Sequence, residues 1–220
     1  MTTPTANFDR LAHRAVVAII AAVLLCVPLA AARVAGVLLV AGLLPGLAVS
    51  GSRRFSREAA LGIALALSPV IVGTLVLAAL AAGIPMRLAA MIAAALGLAL
   101  FVVLGRSVDS PAQEPRAGLR GAWIVLGIAA VLAFALPLVN EWWRVRSDSW
   151  FHAAVADKLA RDGLPAMDPY FAGFRLQYMY FYHGLLAAIA ALARIDYFHA
   201  MIVLNAIALG GCGLMFHALT

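Results

Sequence analysis

Charge is what this chain has least of. Only 12% of its 220 residues are Asp, Glu, Lys or Arg, against 65% hydrophobic residues, and its mean hydropathy is +1.00. A soluble domain carries about 25% charged residues, so a soluble globular protein is excluded. Lysine is nearly missing: Lys158 stands alone against fifteen arginines. With the abundance of alanine, that balance points to a GC-rich bacterial genome. There is no basic block, because the net charge of +6 is spread over connecting segments, and a nucleic-acid partner is excluded. Cysteine is limited to Cys26 and Cys212, both within apolar runs, and the two read as packing residues rather than a disulfide or a metal pair. Short alternating segments are missing too, which excludes a transmembrane barrel. No cleavage site separates the first apolar run, which starts near Ala15 behind Arg10, His13 and Arg14, from the second. That first run reads as a retained signal anchor.

What is present is a series of apolar runs of the length that crosses a bilayer, about 20 residues each. The expected fold is an all-α polytopic membrane protein with about seven spans, roughly 15–32, 34–50, 59–82, 88–104, 122–139, 184–195 and 200–219. A tight turn is expected around Arg33. The first four spans form an N-terminal extension, 1–121, ahead of a module, 122–220, that holds the remaining three. Arginines set the direction. Arg10, Arg14, Arg53, Arg54, Arg57, Arg106, Arg116, Arg120 and Arg194 would share the cytoplasmic side with the N-terminus, and Arg33 and Arg87 the two short outer turns. The segment 140–183 then lies outside, on the periplasmic face of a bacterial inner membrane. The chain stops at Thr220 within an apolar run, which reads as the N-terminal portion of a longer protein.

The segment 140–183 concentrates the chemistry. It holds five of the ten acidic residues and 11 of the 19 aromatics. Trp142 and Trp143 suit the headgroup level. From Ser149 to Asp162, Phe151, Val155 and Leu159 form an apolar stripe, Gly163 supplies a stop and Pro165 prevents continuation. This predicts an amphipathic helix lying in the interface. Asp148 and His152, at i and i+4, share a face; they form either a general-base pair or two ligands of a divalent metal. Asp is equally a favoured helix N-cap, and His152 alone suits an ordinary interfacial hydrogen bond. Asp168-Pro169 reads first as a turn or cap, and second as a carboxylate brought back towards Asp148. Tyr178, Tyr180 and Tyr182 make either an aromatic belt or a wall that stacks on a sugar, and His183 stands at the membrane boundary, suited to a phosphate or a metal. Arg144, Arg146 and Arg175 suit either lipid headgroups or a phosphate.

The order Asp148-Ser-Trp-Phe-His152, Gly163-Leu-Pro165, Asp168-Pro169 and Tyr178-x-Tyr180-x-Tyr182-His183 resembles the first external loop of GT-C fold membrane glycosyltransferases, in particular the family 39 and mannosyl- and arabinosyl-transferase-like group. The resemblance covers about residues 122–220. Ser149 stands where many relatives carry a second acid, and the tyrosine run stands where many carry a lysine and paired prolines. The resemblance implies a polyprenyl-phosphate sugar donor and a glycan, lipid or protein acceptor. It makes Asp148 the general base or a ligand of magnesium or manganese. It leaves His152, Asp168, Tyr178, Tyr180, His183, Arg144, Arg146 and Arg175 as substrate-binding residues of a cell-envelope transferase.

Two other readings stay open. A transporter or flippase would place ionisable residues within its spans, and these spans hold almost none. A non-catalytic membrane scaffold would tolerate the missing second acid at Ser149.

Overall fold

The computed structural model describes residues 4–50, 55–105, 117–135, 147–171, 173–176 and 179–219. These are helical throughout, apart from connections and one isolated antiparallel bridge between Met167 and Arg175. The helices are α1 (Pro4–Cys26), α2 (Ala30–Ser50), α3 (Arg57–Ala81), α4 (Met86–Leu104), α5 (Ala117–Ala130, running on through a π-helical turn Val131–Ala135), α6 (Ser147–Asp162), α7 (Tyr180–Ala193) and α8 (Tyr197–Leu219). Ala30–Ser50, Glu58–Ala81, Met86–Leu104 and Tyr197–Leu219 are long and apolar enough to cross a membrane. Helix α1 is as long but carries Asp9, Arg10 and Arg14 in its first half. The apolar parts of α5 and α7 are shorter, Gly121–Phe134 and Tyr180–Ala193.

Sequence chemistry explains where these helices break. Helix α1 stops at Cys26 because Val27 precedes proline, which disfavours helical backbone at that residue, and Pro28 has no N–H to continue the ladder. The first turn therefore falls at Val27–Leu29, not at Arg33 as expected. Arg33 lies inside α2 and is buried, with its guanidinium donating to the carbonyls of Val27 (3.1 Å), Pro28 (2.6 Å) and Ala193 (2.7 Å). It cements the α1–α2 turn to the carboxyl end of α7. Ahead of Pro45, α2 widens into a π-helical stretch, Leu38–Leu43. Proline is one of the few causes of such local adjustment in a helix. The N–H of Gly46 donates instead to Ser68 Oγ at 2.7 Å. Gly46 is also where α2 meets α3 most closely, since a Cβ there would lie 2.1 Å from the Ala64 carbonyl oxygen. Gly42 meets Ile207 of α8, with a Cβ 3.1 Å from its side chain. The Gly42/Gly46 pattern, which chance accounts for in so glycine-rich a sequence, is thus used for helix packing.

Contacts define the two ends of the bundle. At end A lie the α1–α2 turn, the start of α8 and the tail of α5, where Phe134 shares a cavity wall with Ala30, Ala31 and His199. At end B lie the start of α3 and the tail of α8, with Met215 against Gly62, and the start of α5, with His217 against Gly121. Arg14 donates to the Gly105 carbonyl at end B, joining α1 to the tail of α4.

Helix α7 corrects the expected topology. Its head packs beside Gly73 and Leu77 in the half of α3 nearest end A, and its tail is bound by Arg33 at end A. It therefore does not run from one end to the other, and the expected sixth span is not a crossing. It is a core helix: His183, Gly184, Leu185 and the residues on to Ala190 are all buried, as are Leu192 and Ala193. Arg194 consequently sits at end A with Arg33 and Arg87, not with Arg10 and Arg14. Cys26 and Cys212 are free, as the sequence suggests, but both are exposed rather than packed.

Candidate functional site

Helix α6 forms as its sequence dictates. Val155 and Leu159 are fully buried, the stripe's charged opposite face is tied by Lys158–Asp162 at 3.5 Å and by an Arg161–Asp157 pair, and Gly163 ends the helix at φ 75° with its N–H on the Leu159 carbonyl. Leu159 and Leu77 close on Gly184, so α3, α6 and α7 meet at one point. At the other side Trp150 meets Phe198 edge-on, ring centroids 4.9 Å apart, and places α6 against the first turn of α8. Helix α6 therefore stands at end A.

Asp148 lies within the first turn of α6, which begins at Ser147, and is not the residue ahead of the helix. Its Oδ2 is 3.2 Å from His152 Nε2. On the other side of the ring, His152 Nδ1 is 2.9 Å from His183 Nε2, and His183 Nδ1 is 3.0 Å from the Met179 carbonyl oxygen. The Asp148 side chain is 79% exposed and that of His152 is 23% exposed, whereas His183 is buried. The row runs from solvent into the core.

Hydrogen-bond chemistry fixes the protons along this row. A carbonyl only accepts, so His183 Nδ1 carries hydrogen. Burial first, and then the neighbouring His152, hold His183 below the ordinary histidine range, against the opposing pull of the Met179 carbonyl. The ring is thus neutral, its Nε2 accepts, and His152 Nδ1 must donate. On its other side His152 Nε2 meets the Asp148 carboxylate across 3.2 Å, where one proton bonds the two together. Asp148 Oδ1 has no hydrogen-bond partner among the described residues.

Aromatic rings enclose the row. Tyr182 stands 5.2 Å from His152, Phe151 stands 6.3 Å from His183, and Tyr170 stacks on Phe151 at 6.0 Å with 8° between the planes. Burial, and then the Asp148 charge, push the Tyr182 phenol above its ordinary value, so it remains a donor. The sequence reading used Phe151 only as core and Tyr182 only as part of a wall. Tyr170 was missed, and its one signal was its place after Asp168-Pro169.

The other expected site residues divide. Asp168 makes the turn: its Oδ1 accepts from the N–H groups of Tyr170 (2.8 Å) and Phe171 (3.0 Å), and no contact joins it to Asp148 among the described residues. Arg175 is exposed and pairs with Met167 through the backbone. Tyr180 donates its hydroxyl to the Leu176 carbonyl. Arg144, Arg146 and Tyr178 lie outside the described residues, as do Glu141, Trp142 and Trp143. Among the described residues no group of three or more His, Cys, Asp or Glu side chains converges as a set of metal ligands. No family model, no curated protein and no solved structure matches this chain.

Proposed function

We propose that this chain carries the proton-accepting site of a membrane glycosyltransferase of the GT-C kind, acting on a polyprenyl-phosphate sugar and an acceptor hydroxyl. One observation carries the reading: Asp148 and His152 meet at 3.2 Å, with the Asp148 side chain open to solvent and the row behind it running through His152 to the buried His183. A general base needs a free lone pair within hydrogen-bond reach of its substrate, and Asp148 Oδ1 offers one. The acceptor hydroxyl gives its proton to Asp148, which shares it with His152 Nε2. The acceptor oxygen then bonds to the anomeric carbon, and the bond from that carbon to the lipid phosphate breaks. Positive groups stabilise the charge left on the phosphate; Arg144, Arg146 and Arg175 are the loop's candidates. Tyr182 and the stacked pair Tyr170–Phe151 form an amphipathic wall suited to a sugar ring.

The reading routes no step through a divalent cation. Asp148 and His152 supply one oxygen and one nitrogen, against the octahedral, mainly oxygen shell that magnesium favours.

In a bacterial inner membrane, end B faces the cytoplasm: Arg10, Arg14, Arg53, Arg54, Arg57, Arg106, Arg116 and Arg120 fall in segments leading to it, whereas the short turns of end A carry Arg33, Arg87 and Arg194, and the other five cations, Arg144, Arg146, Lys158, Arg161 and Arg175, belong to the long segment 140–183, which can cross as a folded loop largely regardless of its charge. The site then faces outward. Six helices cross, with α7 held in the core.

The test is sugar transfer from a polyprenyl-phosphate sugar in membranes containing the full-length protein. Asp148→Asn is expected to abolish transfer at unchanged expression; transfer at the unsubstituted rate contradicts the proposal.

A further inference from the structure

A second cavity lies at the other end of α7. It encloses about 240 Å³ between α1, α4 and α7, and its walls include Cys26, Met91, Ala95 and Leu192. Two arginines, Arg87 and Arg194, complete the lining. Both are exposed, and among the described residues neither guanidinium has a hydrogen-bond or ion-pair partner. Arg33 close by differs, because three carbonyls occupy its guanidinium. Among the described residues no acidic side chain lines the cavity. Asp196, the nearest acid in sequence, is taken up by the His199 N–H at 2.9 Å and by the His199 ring. Arg87 also stands in the first turn of α4, whose cap residue Pro85 supplies no side-chain acceptor, so the positive end of that helix adds to the same rim.

We infer that this cavity is a binding site for an anionic membrane phospholipid, with the phosphate held between Arg87 and Arg194 and one acyl chain entering the apolar space beneath. Charge complementarity selects the occupant: two unpaired guanidiniums above a wall with no acid suit a phosphodiester, while the apolar depth suits a chain and not a soluble anion. A zwitterionic lipid would bring its own ammonium against the arginines. The site is separate from the one at Asp148. His183 and Leu192 are nine residues apart on α7, about 13 Å along the axis, too far for this phosphate to be the one that leaves near Asp148. The lipid would brace the α7 tail against α1 and α4 at the end of the bundle where Arg33 already clamps it.

The protein contains its own reporter, because Cys26 is exposed on the cavity wall and the other thiol, Cys212, can be removed. The full chain as Cys212→Ser is placed in nanodiscs of phosphatidylcholine, alone or with added phosphatidylglycerol, and the rate of Cys26 alkylation by N-ethylmaleimide is measured. Cys212 in a Cys26→Ser chain serves as the control for the general effect of an anionic surface. Phosphatidylglycerol is expected to slow Cys26 and leave Cys212 unchanged. Native mass spectrometry is expected to show phosphatidylglycerol retained over phosphatidylcholine, with each arginine contributing about five-fold. Arg87→Gln with Arg194→Gln removes both effects, and Arg87→Lys with Arg194→Lys retains most of the preference. Equal retention of the two lipids overturns the inference. So does protection of Cys26 that survives the double glutamine variant, or displacement of the lipid by inorganic phosphate alone. A prenyl phosphate retained above phosphatidylglycerol also overturns it, by making the cavity a donor site. None of these outcomes depends on sugar transfer, so the inference and the proposed function fail separately.

Discussion

Between α2 and α3 the polar groups complete one another: the Gly46 N–H donates to Ser68 Oγ at 2.7 Å, and Ser50 Oγ donates to the Ala60 carbonyl at 2.9 Å. Between α6 and α7 one group is left open. The row from Met179 through His183 and His152 ends on Asp148, whose side chain is 79% exposed and whose Oδ1 has no hydrogen-bond partner among the described residues. The first seam lies inside the apolar bundle, where an unsatisfied polar group is costly, and its two hydrogen bonds go with close packing of the helices. The second opens to solvent at its carboxylate. A closed seam holds the fold, and in the proposed reaction the open one takes a proton from a substrate.

That contrast can be broken from either side. The largest effect is expected for Asp148→Asn, which removes the open carboxylate. Sugar transfer should fall by about a thousand-fold with the melting temperature unchanged. Next is Gly46→Val, whose side chain would enter the Ala64 backbone. It should cost about 3 kcal/mol of stability in a thermal melt, and transfer should be lost only in proportion to folded protein. Leu159→Ala opens the point where α3, α6 and α7 meet. About 2 kcal/mol of stability should be lost, and transfer should fall in folded protein because α6 no longer holds His152 against His183.

The smallest effect is a pH slope. Burial lowers the folded-state pKa of His183 below its unfolded value. Its contribution to stability is therefore fully present above about pH 6.5 and is lost as the pH falls from there towards the lower folded value, where the unfolded chain binds the extra proton. His183→Gln should flatten that part of the stability profile, measured by thermal melts across this window. The α2–α3 contact at Gly46 and Ser68, which has no titratable group, should give a variant profile parallel to that of the unsubstituted chain.

Much of this was legible in the sequence, and the reasons are local. The stripe Phe151, Val155, Leu159 and the stop at Gly163 follow from helical periodicity and from glycine's access to positive φ, and the structure reproduces both. The i, i+4 pairing of Asp148 with His152 is local as well. What escaped is long-range. His183 lies 31 residues from His152, and nothing in an aromatic run announces that its one histidine will complete the row. The same distance hid the topology: α7 is apolar enough to look like a span, and only Arg33 on its last carbonyl and Gly73 beside Phe181 reveal that it does not reach the other end. Asp168 was legible as a turn, and its second reading, as a carboxylate near Asp148, is not realised among the described contacts.

The central claim is a statement about where hydrogens sit, and nitrogen NMR of the histidine rings, with assignments from His152→Gln and His183→Gln, tests it most directly. The account predicts His183 as the neutral Nδ1–H form and His152 carrying hydrogen on Nδ1 throughout, with its Nε2 signal moving when Asp148 is replaced by Asn. A neutral His152 with hydrogen on Nε2 and a bare Nδ1 would contradict it, because His183, donating to both the Met179 carbonyl and His152, would then have to be a buried cation.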